Sequence, residues 1–308
     1  MKPKDLIELY NAGERSFVGI EFKNAYLNWP CLIGIDLRNA DLRGAKLGTQ
    51  TRLINANFSN ANMENISLEY AFLINANLSK ANLKEAHLAG ADLTGADLTG
   101  ANLMGADLTG AILIGTNLAD TNLIDIKTTK DTVFCQTIMP DGRIQTDPER
   151  VTDAQELLRR YAKGQREFRD IILHQVDLSG VNLCGVSFLW ETRLSQVNLS
   201  GANLTDCNFN GIKRIVFSDL RNAKLINCEW RNPEIIYCDL RCAYLELFDM
   251  YAPDFTGSNF EGIQDFFSIE EDMYFCNTTW VTGEFIPGPM NSSECWRERP
   301  PEEIIDEF

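Results

Sequence analysis

From Thr51 to Asp125 the chain repeats every five residues for fifteen unbroken blocks, of which Ala91-Asp92-Leu93-Thr94-Gly95 is representative. The third residue, here called the centre, is always Leu, Phe or Met, and the first is Ala in eleven of the fifteen. A period of five fits neither the helical 3.6 nor the strand period of 2. Sustained over such a length, it describes a solenoid. Each block must be a short extended piece followed by a turn. First and third side chains differ by the strand period, so they share one face. Pairing a small residue with a large one suits a narrow packed interior. The residue between them, mostly Asn or Asp, faces outward, and the last two positions make the turn. Burying each centre contributes about 1.5–3 kcal/mol, so stability accumulates block by block.

Blocks such as Ala56-Asn57-Phe58-Ser59-Asn60 and Ala106-Asp107-Leu108-Thr109-Gly110 carry the motif A(D/N)LXX. In this the chain resembles the pentapeptide-repeat family, over most of both of its halves. The resemblance implies an all-β fold, a right-handed quadrilateral β-helix in which four blocks make one coil. It also implies a module without enzymatic activity.

The same pattern runs from Ile20 to Leu47, and in the second half from Phe168 to Phe260. One extra residue precedes the centres Leu53, Leu194 and Ile215, each time with Arg directly before the centre. Such single insertions act as bulges that shift a corner without ending the rod. A longer duplication frames the blocks, since Asp5–Phe17 aligns with Glu156–Phe168. Leu and Tyr at helical spacing followed by Gly predict a short amphipathic helix in each, able to cover the open end of a first coil. Phe134-Cys135-Gln136-Thr137 and Phe275-Cys276-Asn277-Thr278 form a second matching pair. The first continues into Met139-Pro140-Asp141-Gly142, which resembles the closing segment of many cyanobacterial pentapeptide proteins. The expected organisation is two β-helices in tandem, each preceded by a capping helix, over 1–150 and 151–260. An acidic segment, 261–308, follows and is expected to be irregular or partly disordered.

Net charge is −16, and 261–308 alone holds 12 acidic against 2 basic side chains. Direct nucleic-acid binding, which calls for a basic stripe, is not expected. No stretch approaches the length of a membrane span, and the N-terminus has no secretory h-region. Nine cysteines without CxxC pairs point to a reduced, cytoplasmic setting. Cys207, Cys228 and Cys238 occupy the small inward position and are expected to be buried thiols, with no structural disulfide.

No catalytic, metal or cofactor site is expected. His87 and His174 flank centres in different halves, so both should be exposed and neither has convergent partners. Function is left to the surface, where residues 20 apart form columns. One face of the first half carries Ile54, Phe72, Ile74, Ile112 and Ile114 outward, interrupted by Asp92 and Thr94, while the next face is polar. This strip is expected to dock against 126–150, the second rod or another chain, which makes a homo-oligomer one outcome. Ile236, Tyr237, Tyr244 and Tyr251 form a second candidate surface, among the stacked acids Asp219/Asp239, Glu229/Asp249 and Glu234/Asp254. The expected function is a protein–protein interaction scaffold with an unidentified protein partner. The alternative that the resemblance suggests is a DNA-mimicking inhibitor of DNA gyrase. Against it, Asp92, Asp97 and Asp107 lie on three different faces.

Overall fold

Each five-residue block closes on itself through a turn bond, as when Ala56 N–H donates to the Leu53 carbonyl at 3.1 Å. The last residue of the turn takes positive φ, 57° at Asn55 and 53° at Asn75, which is the type II requirement and explains the Asn and Gly found there. The computed structural model describes residues 2–27, 31–48, 50–147, 150–189, 191–231, 233–246, 249–251, 253–264, 274–286 and 290–291. Over these it is a mostly β solenoid with two helices.

The chain divides into two compact units, Met1–Pro148 and Glu149–Phe308. In the first, one parallel ladder runs Ser16, Asp36, Asn57, Asn77, Asp97, Asn117, Ile138. Three others start at Glu21, Tyr26 and Cys31, so four faces return once per coil. Rungs are 20 residues apart except where an extra residue intervenes, as from Cys31 to Arg52 and from Asn117 to Ile138. The fourteen centres from Leu53 to Leu118 and their first-position partners are buried inside this ladder, and the fifteenth, Leu123 at the last coil, is half-buried. Helix α1 (Pro3–Asn11) sends Leu6 and Tyr10 into the same interior. Strand β1 (Ile112–Ile114) pairs in parallel with β2 (Val133–Cys135). The unit ends in an antiparallel hairpin of β3 (Thr137–Ile138) and β4 (Ile144–Gln145).

The second unit opens with α2 (Ala154–Ala162), N-capped by Asp153, whose carboxylate accepts from Glu156 N–H at 2.7 Å. Its strands are β5 (Glu167–Arg169), β6 (Ile172–His174), β7 (Ser187–Leu189), β8 (Thr192–Ser195), β9 (Ile212–Val216), β10 (Glu229–Arg231), β11 (Glu234–Ile236) and β12 (Asp249–Tyr251). Strands β6, β8, β9 and β11 form one four-stranded parallel sheet, with a register shift where Lys213, the extra residue before Ile215, falls opposite the Thr192–Arg193 step. Tyr161 repeats the seat of Tyr10: their hydroxyls donate to the carbonyls of Cys184 and Ile33 at 3.1 and 2.9 Å. Arg166 and Arg15 each stack on that ring at 3.9 Å and donate to the helix C-terminal carbonyl.

The coil does not stop at Phe260. Asp254 and Asn259 bridge in parallel to Tyr274 and Thr279, and Phe275 and Trp280 join Phe255 and Phe260 in the interior. Strands β13 (Tyr274–Phe275), β14 (Thr278–Thr279), β15 (Phe285–Ile286) and β16 (Met290–Asn291) finish the unit, with β14 and β15 an antiparallel hairpin. The rest of the acidic segment, 265–273, 287–289 and 292–308, lies outside the described residues.

Candidate interaction surfaces

The outward Asp or Asn of each block is part of the turn. Asn57 Oδ1 accepts from Ser59 N–H and Asp97 Oδ1 from Thr99 N–H, both at 3.0 Å. Where Arg stands two residues on, it grips the same carboxylate, at 2.7 Å for Arg38–Asp36 and 2.6 Å for Arg221–Asp219. The guanidinium holds the Asp36 and Asp219 carboxyls below the usual range. Asp219/Asp239, Glu229/Asp249 and Glu234/Asp254 do stack as adjacent rungs, and Arg221 reaches across to Asp239 at 3.7 Å. On another face Asn62, Asn82, Asn102 and Asn122 form a ladder, each Nδ2 donating to the Oδ1 of the coil before it at 3.0–3.2 Å.

The apolar strip is placed on one face, as Arg52, Phe72, Asp92, Ile112 and Val133 are successive rungs. It is not a wetted patch. Ile54 and Ile74 are fully buried, Ile114 is 1% exposed, and Phe72 and Ile112 are 6% exposed. Asp92 and Thr94, expected to interrupt it, are buried as well and hydrogen-bond each other. None of these side chains belongs to the unit's interior cluster. Val133 and Cys135, within segment 126–150, continue the strip as its next rung. An outward direction on the coil therefore does not make a residue available to a further partner.

The second candidate surface is dispersed. Ile236 is fully buried, on the sheet β6–β8–β9–β11. Tyr237 stands at the turn after it, stacked on Phe217 at 5.2 Å between ring centroids. Tyr244 belongs to the ladder of Lys224 and Gln264, and Tyr251 to strand β12, so the three tyrosines occupy three faces. The side chain of Tyr251 is outside the described set.

His87 is exposed, with Nε2 3.2 Å from Asn65 Oδ1. His174 is not: it is 5% exposed, its Nδ1 lacks a hydrogen-bond partner, and burial lowers its pKa. Its outward slot falls on the same covered sheet face as Ile172, Val216 and Ile236.

Thiols in the small inward position do more than fill space. Cys207, Cys228 and Cys238 donate to the carbonyls of Leu183, Leu204 and Ile215 at 3.2, 3.0 and 3.4 Å. Burial pushes all three up to about 12, well away from a reactive thiolate. Cys135, Cys184, Cys207, Cys228, Cys238 and Cys242 carry free thiols. Among the described residues no cluster of His, Cys, Asp and Glu could hold a metal ion, and no helix is long and apolar enough to cross a membrane.

Large apolar side chains that are exposed stand elsewhere: Tyr26 at 70%, Tyr70 at 59%, Ile144 at 70% and Phe285 at 58%. Sequence reasoning passed over them because none forms a column. Ile144 borders an open concavity of about 530 Å³ formed by Met139–Asp141 and Arg143–Thr146.

The family model for pentapeptide repeats matches residues 20–48, 49–84, 61–100, 101–125 and 171–213, in eight copies. No curated protein matches the chain. Among solved structures, a pentapeptide repeat protein from the cyanobacterium Cyanothece is 32% identical, over 42% of this chain and 98% of that one, with a TM-score of 0.21. HetL, a pentapeptide repeat protein involved in heterocyst differentiation regulation from the cyanobacterium Nostoc, is 27% identical over 93% and 100% of the two chains, at a TM-score of 0.25. A pentapeptide repeat protein of the Arabidopsis thaliana thylakoid lumen is 30% identical over 32% and 69%, at 0.31. With its turn bonds, buried centres and parallel ladders matching the motif block for block, the chain belongs to the pentapeptide-repeat family.

Proposed function

We propose that the chain is a non-enzymatic binding scaffold of the cytoplasm: two right-handed β-helices in succession, each closed at its start by a helix, that present columns of side chains to a protein partner. The observation that carries this reading is the way outward side chains are held. The Asn62–Asn122 ladder and the Asp–Arg grips at 36/38 and 219/221 immobilise polar groups in rows on a backbone ladder. Pre-ordered rows lower the entropic cost of docking a flat partner. The DNA-mimic alternative needs rows of unpaired carboxylates, whereas Asp36, Asp219 and Asp239 each hold an arginine.

The experiment is affinity capture from the native lysate with wild-type chain and single-face variants, such as Asn82→Arg on the ladder and Tyr70→Glu. A partner lost with one face variant and retained by the others supports the scaffold reading. A partner indifferent to every face, or none captured, counts against it. Inhibition of DNA supercoiling by the purified chain would favour the alternative instead.

A further inference from the structure

Both units carry the same hairpin after their last coil. Ile138 pairs with Ile144 in one and Thr279 with Phe285 in the other. Gly142 and Gly283 sit in the two loops at φ 80° and 84°, each donating to a residue three back, Met139 and Trp280. The two are related by a shift of 141 residues, so each serves as a control for the other. Strand β4 pairs only with β3, and β15 only with β14, which leaves an outer edge on each hairpin without a strand beside it among the described residues. Unpaired edges are templates for strand addition.

At equivalent positions on these edges both copies keep a large apolar side chain in water, Ile144 at 70% exposure and Phe285 at 58%. The residue before it differs in sign: Arg143 in the first hairpin, Glu284 in the second. Among the described residues the Arg143 side chain is held by an exposed ion pair with Asp141, a weak restraint that can be exchanged.

We propose that the outer edge of β4 pairs antiparallel with the outer edge of β15 from a second copy of this chain, with Ile144 opposite Phe285. In that register Arg143 and Glu284 share the opposite face as diagonal neighbours, about 7–8 Å apart at the backbone and within reach of long side chains. The concavity of about 530 Å³ beside Ile144, with Met139 and Pro140 in its lining, receives the Phe285 ring. Like edges are selected against. Pairing β4 with β4 sets Arg143 beside Arg143, and β15 with β15 sets Glu284 beside Glu284, so charge chooses the unlike pair. Every copy carries both edges, so the contact is heterologous and a further copy can add through the edges left over. Each contact is far smaller than a standard interface, so the association is concentration-dependent.

Sedimentation velocity on the full chain over a concentration series tests this. The wild type is expected to self-associate, and Ile144→Asp and Phe285→Asp to stay monomeric. Arg143→Glu and Glu284→Arg should each weaken association by about tenfold, since each turns an attractive cross-strand charge pair into a repulsive one. An equimolar mixture of those two variants should recover wild-type association, because each contact between unlike variants then joins opposite charges. All four side chains are exposed, and unchanged circular dichroism and melting will show that the variants fold. A wild type that stays monomeric at several hundred micromolar (~10⁻⁴ M), association insensitive to both Asp variants, or a mixture no stronger than its components overturns the proposal.

Discussion

Thr116 stands in the small inward slot that the motif gives to Ala, and replacing it with Ala should weaken the fold although it restores the motif. Its hydroxyl donates to the Leu93 carbonyl at 2.7 Å, and both residues are fully buried. That carbonyl also accepts the turn bond from Ala96 N–H at 2.9 Å, so removing the hydroxyl leaves no orphaned acceptor. The hydrogen bond is therefore worth the ordinary net value of about 0.5–1.5 kcal/mol. The lost methyl adds about 0.8 kcal/mol of burial. Thr116→Ala should cost about 1–2 kcal/mol. Two further variants separate the parts: Thr116→Val keeps the methyl and loses the donor, and Thr116→Ser does the reverse. Urea unfolding followed by far-ultraviolet circular dichroism, with each unit's transition fitted separately, reads the difference. A Thr116→Ala chain as stable as wild type, or a Val variant indistinguishable from it, would show that the inward hydroxyls are incidental.

Burial lowers the His174 pKa, so the unfolded chain binds the proton more readily than the folded one. Its contribution is whole above the unfolded value near 6.5 and is lost as pH falls toward the folded pKa. The urea midpoint of the second unit should drop between pH 7.5 and 5, less so in His174→Gln; equal slopes would refute this. Native labelling with a thiol reagent should modify Cys242 and Cys184 but spare Cys207, Cys228 and Cys238, whose thiols are pushed up to about 12. Rapid native labelling of any of those three would contradict their burial. A Cβ at Gly90 would lie 2.5 Å from the Tyr70 ring, whereas at Gly110 it would meet nothing within 4 Å, though both have φ near 66°. Gly90→Ala should thus cost more than the roughly 1 kcal/mol expected of Gly110→Ala, and Tyr70→Ser should remove the excess. Equal costs would show that the ring simply moves aside.

The interior was legible because a five-residue period has one physical solution, and Leu93, Leu98 and Leu103 sit where it demands. Columns were equally legible, down to the acid pairs of the second unit, because a parallel ladder returns at a constant interval. Burial of the Ile54–Ile114 strip was expected from its apolar column, but burial of the polar outward residues beside it was not. Asp92 and Asp97 both point away from the coil, yet one is buried and the other partly open. Period reports direction relative to the coil axis and is silent on what lies beyond it, which is also why His174 was misread as exposed. The three tyrosines looked like a surface because they are seven residues apart in sequence, an interval that carries each to a new face. The second closing hairpin went unseen since Trp280-Val281-Thr282-Gly283 shares only its glycine with Met139-Pro140-Asp141-Gly142. Its signature is backbone geometry.

The most direct test of the coil itself is a set of engineered disulfides in a background lacking Cys184, Cys242 and Cys295. Asn62 and Asn82 are partners on adjacent rungs, about 4.8 Å apart at the backbone and inside the Cα range of a disulfide, so Cys at 62 and 82 should oxidise readily. Cys at 62 and 77, closer in sequence but on different faces, should not. Efficient bridging of 62 with 82 alone is the predicted result; bridging of 62 with 77, or of neither, would contradict a coil of 20 residues over this stretch.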